Sequence, residues 1–143
     1  MRAPLLLLAL AACRTGGATH GEFRALMERV AAGWNAGDAR AAAACFAEDA
    51  VYEEPPAKQL YKGRAALVEF FGGDEKLAMN MRWHHLAFDE ATGVGFGEYT
   101  FALNRQYHGI VVVKVRDGRI VRWREYQTQS PLPYEEFAKE TAF

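Results

Sequence analysis

The apolar residues of this chain change their spacing near Lys76, and no other feature narrows its fold so far. Before that point they recur every three or four positions, the period of a helix face; beyond it they alternate, the period of a half-buried strand. From Glu22 to Trp34, the residues Phe23, Leu26, Met27, Val30 and Trp34 form one face of an amphipathic helix, which Asn35-Ala36-Gly37 stops. Asp38 is placed to N-cap a second, alanine-rich helix running through Cys45 and Phe46, because its carboxylate accepts the free amides of a first turn. Ala50-Val51-Tyr52-Glu53 reads as a short strand closed by Glu54-Pro55-Pro56, and a third helix fits Arg64 to Phe71 before Gly72-Gly73.

Four long strands follow, Ala78–Phe88, Gly93–Leu103, Tyr107–Arg116 and Arg119–Gln127, joined by turns rich in Gly, Asn and Asp. Asp117-Gly118 is the clearest hairpin signal, since a two-residue type I′ turn needs positive φ at both centres. A two-residue turn at Asn104-Arg105 would place Trp83, Tyr99, Ile110 and Glu125 in one cross-strand row. The same face would carry His85, Val112 and Trp123, then Phe101, His108 and Gln127. The other face would hold Leu86, Phe96, Val111, Val113, Ile120 and Tyr126, with Arg82, His84, Glu98, Arg122 and Arg124. A slip of one residue would exchange the two faces. Gly93, Gly95 and Gly97 alternate within a strand, where they relieve crowding or bend the sheet. Pro131 and Pro133 end the sheet before a short helix from Tyr134.

The N-terminus reads as an address. Met1-Arg2 precedes the apolar run Leu5 to Ala12, too short for a bilayer span of about 20 residues. Leu10-Ala11-Ala12-Cys13 looks like a bacterial lipobox. The expected layout is a signal peptide over 1–12, a lipidated Cys13 and tether over 13–21, and one domain over 22–143. The chain would then be exported and would meet a membrane only through lipid on Cys13. With Arg14 rather than Asp next, the outer membrane is the expected destination in a host with two. A mis-assigned start would leave the protein cytoplasmic. Cys45 then has no disulfide partner and fits the apolar pattern of a helix.

With 17 Lys+Arg against 18 Asp+Glu and no block of like charge, nothing marks a nucleic-acid partner. The 13% aromatic content suits an apolar cavity or an interface lined by rings.

Several segments carry a family resemblance. They are Trp34-Asn35-Ala36-Gly37-Asp38, Phe46 to Pro55, Tyr61-Lys62-Gly63-Arg64-Ala65-Ala66-Leu67, and Asp117-Gly118-Arg119-Ile120-Val121-Arg122-Trp123-Arg124-Glu125-Tyr126. In these, and in element order, the chain resembles the nuclear-transport-factor-2-like superfamily, which includes SnoaL-like proteins and ketosteroid isomerases. The resemblance implies an α+β fold: a cone-shaped, strongly curved antiparallel sheet with three helices packed on its concave face. It also implies a homodimer through the outer sheet face. Tyr52-Glu53-Glu54-Pro55 looks like the isomerase segment whose acid before proline shuttles a proton, so Glu54 takes that place. The isomerase's oxyanion-hole tyrosine and buried partner acid correspond to Val30 and a position near Val111 here, so a typical ketosteroid isomerase is not expected.

Two functional readings stay open at this level. The first is a binding domain for a small apolar molecule, walled by Trp34, Tyr52, Phe70, Trp83, Tyr99 and Trp123. The second is a cofactor-independent isomerase, dehydratase or cyclase, with Glu54 or Glu125 as base and His85, His108 or Tyr99 as proton partner. Against each stands a purely structural role: a bonded Glu125, a turn residue at Glu54, satisfied histidines, and rings that fill a core. No metal is expected, because the adjacent His84 and His85 would point to opposite faces of a strand.

Overall fold

The computed structural model describes residues 17–142, so the expected signal peptide and the lipidation site Cys13 lie outside the described residues. The elements are α1 (His20–Asn35), α2 (Ala39–Ala43), β1 (Phe46–Glu54), β2 (Gln59–Lys62), α3 (Arg64–Phe70), β3 (Asn80–Asp89), β4 (Val94–Ala102), β5 (Gln106–Arg116), β6 (Arg119–Gln129) and α4 (Tyr134–Phe137).

Helix α1 starts two residues before Glu22 because of a capping box. Thr19 Oγ1 accepts from the Glu22 amide (3.2 Å), and the Glu22 carboxylate accepts from the Thr19 amide (2.8 Å). The Asp38 carboxylate caps α2 as expected, bonding the Ala41 amide at 2.8 Å. That helix stops at Ala43 because Phe46 has already joined a sheet, with Cys45 accepting from the Ile120 amide.

The six strands form one curved sheet in the order β2-β1-β6-β5-β4-β3. It is mixed rather than wholly antiparallel, since β1 runs parallel to β6 and every other pair is antiparallel. The prolines after Glu54 do not close a lone strand. Pro55–Ala57 make a 3-10 turn, Lys58 takes a left-handed φ of 56°, and the chain returns as β2, with Glu54 opposite Gln59. The Asp117-Gly118 turn has the two positive φ values, 51° and 72°, that its sequence demands.

Three local irregularities decide which side chains face the helices. The loop between β4 and β5 holds three residues, Leu103-Asn104-Arg105, so Tyr99 lies opposite Gly109 rather than Ile110. An irregularity in β3 between Trp83 and His85 adds a second shift, and one between β5 and β6, where Val115 pairs with Ile120 but Lys114 with Arg122, adds a third. Val111, Val113, Ile120 and Leu86, expected outside, are therefore buried inside, while Ile110 and Val112 turn outward. Trp123, Glu125 and Gln127 keep the inner face they were expected to hold.

The inner face packs on α1 and α3 around Phe23, Met27, Val30, Phe46, Leu67 and Trp123. Three glycines make this packing feasible. A Cβ at Gly95 would stand 2.3 Å from the Phe23 ring, one at Gly97 2.6 Å from Trp83, and one at Gly109 2.6 Å from the Tyr99 ring and hydroxyl. Alternating glycines in β4 thus relieve crowding, as the sequence indicated.

Beyond β6 the chain folds back over the outer face. Tyr134 stacks on His84 (3.4 Å between ring centroids), Phe137 stacks on His108 (4.2 Å), and the Tyr134 hydroxyl donates to Glu98 at 2.8 Å. No helix among the described residues is long and apolar enough to cross a membrane.

Candidate functional site

A cavity of about 450 Å³ opens between the inner sheet face and α3. Its wall is made by Trp34 of α1, Tyr52 and Glu54 of β1, Phe70 and the adjoining Phe71, and Leu77, Met79 and Met81 leading into β3. Tyr99 and Phe101 of β4, Leu103-Asn104-Arg105, Tyr107, and Glu125 and Gln127 of β6 complete it, with Gln59 from β2.

Its centre is Glu125, 6% exposed. The Tyr52 hydroxyl donates to Oε1, the Tyr99 hydroxyl to Oε2 at 3.1 Å, and the Trp123 indole N–H to Oε2 at 3.2 Å. Burial pushes the Glu125 carboxyl up to about 7; the three hydrogen bonds oppose the rise and the charge of Glu54 adds to it. The same burial, with the Glu125 charge alongside, raises the Tyr52 and Tyr99 phenols above their ordinary range, so both remain protonated donors.

Glu54, 7% exposed, is tied into the same network. Gln127 Nε2 donates to Glu54 Oε1 at 3.0 Å, and Gln127 Oε1 accepts from the Tyr99 hydroxyl at 3.3 Å. Tyr99, whose single hydroxyl proton is shared between Glu125 and Gln127, and Gln127, which donates to Glu54, therefore link the two acids. Alternation along β6 puts Glu125 and Gln127 on one face, while β1 and β4 bring Tyr52, Glu54 and Tyr99 from either side.

Four of the six expected wall residues, Trp34, Tyr52, Phe70 and Tyr99, line the cavity. Trp83 and Trp123 do not. Trp83 donates to the Met27 carbonyl at 2.9 Å and packs edge-on to Tyr99, and Trp123 lies stacked beneath Tyr52. Both hold the cavity residues from behind.

His85 and His108, expected in the site, are on the outer face, His85 through the β3 irregularity and His108 through the three-residue loop between β4 and β5. His85 Nδ1 bonds Glu98 Oε2 at 2.7 Å. His108 is buried under the C-terminal segment, with Nδ1 2.9 Å from Thr100 Oγ1 and Nε2 2.9 Å from the Leu132 carbonyl. Neither can serve as proton partner to Glu125. Among the described residues no group of three His, Cys, Asp or Glu side chains is placed to hold a metal.

Sequence reasoning missed Leu77, Met79, Met81, Arg105 and Tyr107 as lining residues, since they come from loops and strand ends. Gln127 was legible in principle, two positions beyond Glu125 on an alternating strand. The polar partners that the isomerase comparison placed at Val30 and near Val111 are absent, both valines being fully buried core. The phenols that face this acid come instead from β1 and β4.

Residues 27–123 match the family described as SnoaL-like domain. An NTF2-like protein of unknown function from Burkholderia xenovorans is 18% identical, with a TM-score of 0.67 over 86% of this chain and 94% of that one. A protein of unknown function with a cystatin-like fold from Methylobium petroleophilum is 19% identical, with a TM-score of 0.69 over 82% of each chain. An LEH-like epoxide hydrolase from M. tuberculosis is 20% identical, with a TM-score of 0.63 over 76% and 84%. At these identities the likeness speaks for the fold alone. No curated protein matches the chain.

Proposed function

The chain belongs to the SnoaL-like domain family, and from that premise we propose that its cavity takes up a small, largely apolar molecule and moves a proton on it without a cofactor, as an isomerase or lyase does. One observation carries this reading: Glu125 lies in an open, ring-lined cavity with its carboxyl pushed up to about 7. A group of that acidity both accepts and gives protons at neutral pH.

The carboxylate form of Glu125 takes a proton from a substrate carbon or hydroxyl. In an isomerisation it returns that proton to another atom of the same molecule; in a dehydration the proton leaves with hydroxide as water. Tyr52 and Tyr99 line the same space, and their hydroxyl protons, which bond Glu125 as a carboxylate, turn to a substrate oxygen that gathers negative charge once Glu125 has taken up the proton. Glu54 takes part through Gln127.

A non-catalytic binding role is favoured by a different observation. Every hydrogen bond to Glu125 comes from the protein, so the acid is satisfied with nothing bound. Titrating the chain with steroids, polyketide-like molecules and fatty ligands, followed by tryptophan fluorescence, finds the molecules that bind. Their turnover is then compared in the native chain and in Glu125→Gln. A loss of about 10²-fold or more with binding retained supports catalysis. Saturable binding with no turnover in either chain leaves the binding role alone.

Two further proposals concern place and assembly. Residues 1–13 direct export and lipid attachment at Cys13, and two copies pair through the outer sheet face. Mass spectrometry of the envelope-bound protein would show a diacylated N-terminal Cys13; an intact Met1 there would refute export by this route.

A further inference from the structure

Glu54 and Glu125 are the two buried acids of the described chain, and both line one cavity. Among the described residues, no ion pair includes either of them. Gln127 donates to Glu54, and Tyr52, Tyr99 and Trp123 donate to Glu125, all of them neutral groups. Buried carboxylates are ordinarily matched by a cation, since neutral donors offset only part of the cost of leaving water.

The rest of the wall supplies what an organic cation requires. Trp34, Tyr52, Phe70, Phe71, Tyr99 and Phe101 surround the space with rings, whose faces attract positive charge. The one cationic side chain among the described lining residues is Arg105, on the exposed loop between β4 and β5, and its guanidinium donates to Gln129 at 3.3 Å rather than to either acid.

We propose that the ligand of this cavity is an organic cation, an apolar body carrying a protonated or quaternary nitrogen, seated among the rings with its charge against Glu54 and Glu125. This rests on the cavity being a ligand site and adds the chemical class of what fills it. Glu54 Oε1 takes one hydrogen bond, from Gln127, and its other oxygen is the pairing position for the nitrogen. Metal ions are poorer candidates for the same charge, because among the described residues no third acid, histidine or cysteine joins the two carboxylates to complete a ligand set.

Benzyltrimethylammonium, its uncharged isostere 2,2-dimethylpropylbenzene, and 3-phenylpropionate test the inference, with binding to the chain followed by tryptophan fluorescence at pH 6, 7 and 8. The quaternary nitrogen keeps its charge at every pH, so any pH dependence comes from the protein. The groups facing Glu125 are Tyr52 and Glu54 from β1, Tyr99 from β4, and Trp123 and Gln127 on its own strand, with Arg105 at the loop end. The expected result is the cation binding roughly tenfold or more tightly than the isostere at pH 8, with the ratio narrowing toward pH 6 as Glu125 protonates. Glu54→Gln, which keeps the shape of the side chain, should remove most of that ratio, and Glu125→Gln should remove its pH dependence. An isostere that binds as well as the cation, or a preference for 3-phenylpropionate, overturns the charge assignment and leaves the cavity a ligand site. Failure of all three probes to bind overturns both.

Discussion

Glu125 holds more protons in the folded chain than in the unfolded one over a defined range of pH. Its carboxyl rises from 4.5 to about 7 on folding, so the native state is the more protonated between those values. Stability therefore falls as pH climbs through that window and levels off above it, by about 3 kcal/mol if Glu125 acts alone. Urea denaturation of the native chain and of Glu125→Gln at pH 5, 6, 7 and 8 isolates this contribution. The variant should lack the decline, and parallel curves for the two chains would refute the assignment. Tyr99→Phe removes a donor that favours the charged form, so Glu125 should titrate at higher pH; carbon-13 NMR of labelled glutamate reads this directly. Tyr52 and Glu54 were recognisable from their neighbours in sequence, and Tyr99 and Glu125 from alternation along their strands. Their mutual bonds were not, because Tyr52 and Glu125 are 73 positions apart and meet only when β1 lies beside β6.

Strand β5 shows how much one backbone choice decides. Its partner β4 is reached through three loop residues rather than two, and this, with the irregularity against β6 at Lys114/Val115, exchanges its inner and outer faces. Gly109 then falls opposite Tyr99 and leaves the space in which that ring reaches Glu125. Gly109→Ala should cost roughly 1–3 kcal/mol through overpacking and should displace the Tyr99 hydroxyl from the acid. A denaturation midpoint equal to that of the native chain would contradict this. On the outer face the same exchange buries His108. Its Nε2 faces the Leu132 carbonyl and so carries the proton, which makes Nδ1 the acceptor from the Thr100 hydroxyl, and Thr100 in turn accepts from His84 at 2.7 Å. Thr100→Val leaves that buried Nδ1 without a donor and should cost about 1–3 kcal/mol. Faster amide exchange over 134–138 should accompany the loss, since Tyr134 and Phe137 stack on His84 and His108. The helices and strands themselves were legible because apolar period and capping residues are local signals. Loop length and the β3 irregularity carry no such signal, and they sent His85 and His108 away from the cavity.

At the scale of the whole molecule, the sheet has one face committed to the helices and one that the C-terminal segment covers in part. Phe96, Ile110 and Tyr126 stay 49%, 51% and 46% exposed on that outer face. An apolar surface of this kind is suited to a second copy of the chain. Sedimentation should give the mass of two chains, and Ile110→Glu should return it to one; a single-chain mass for the native protein across a wide concentration range would refute the pairing. By itself the sequence determined the class of fold, the order of its elements and the turn at Asp117-Gly118, since each depends on residues close together along the chain. Only the tertiary structure decided which rings line the cavity, which merely support it, and that of His85, His108 and Tyr99 it is Tyr99, joined by Tyr52, that bonds Glu125. Those outcomes follow from strand register, and register depends on contacts between residues far apart in sequence.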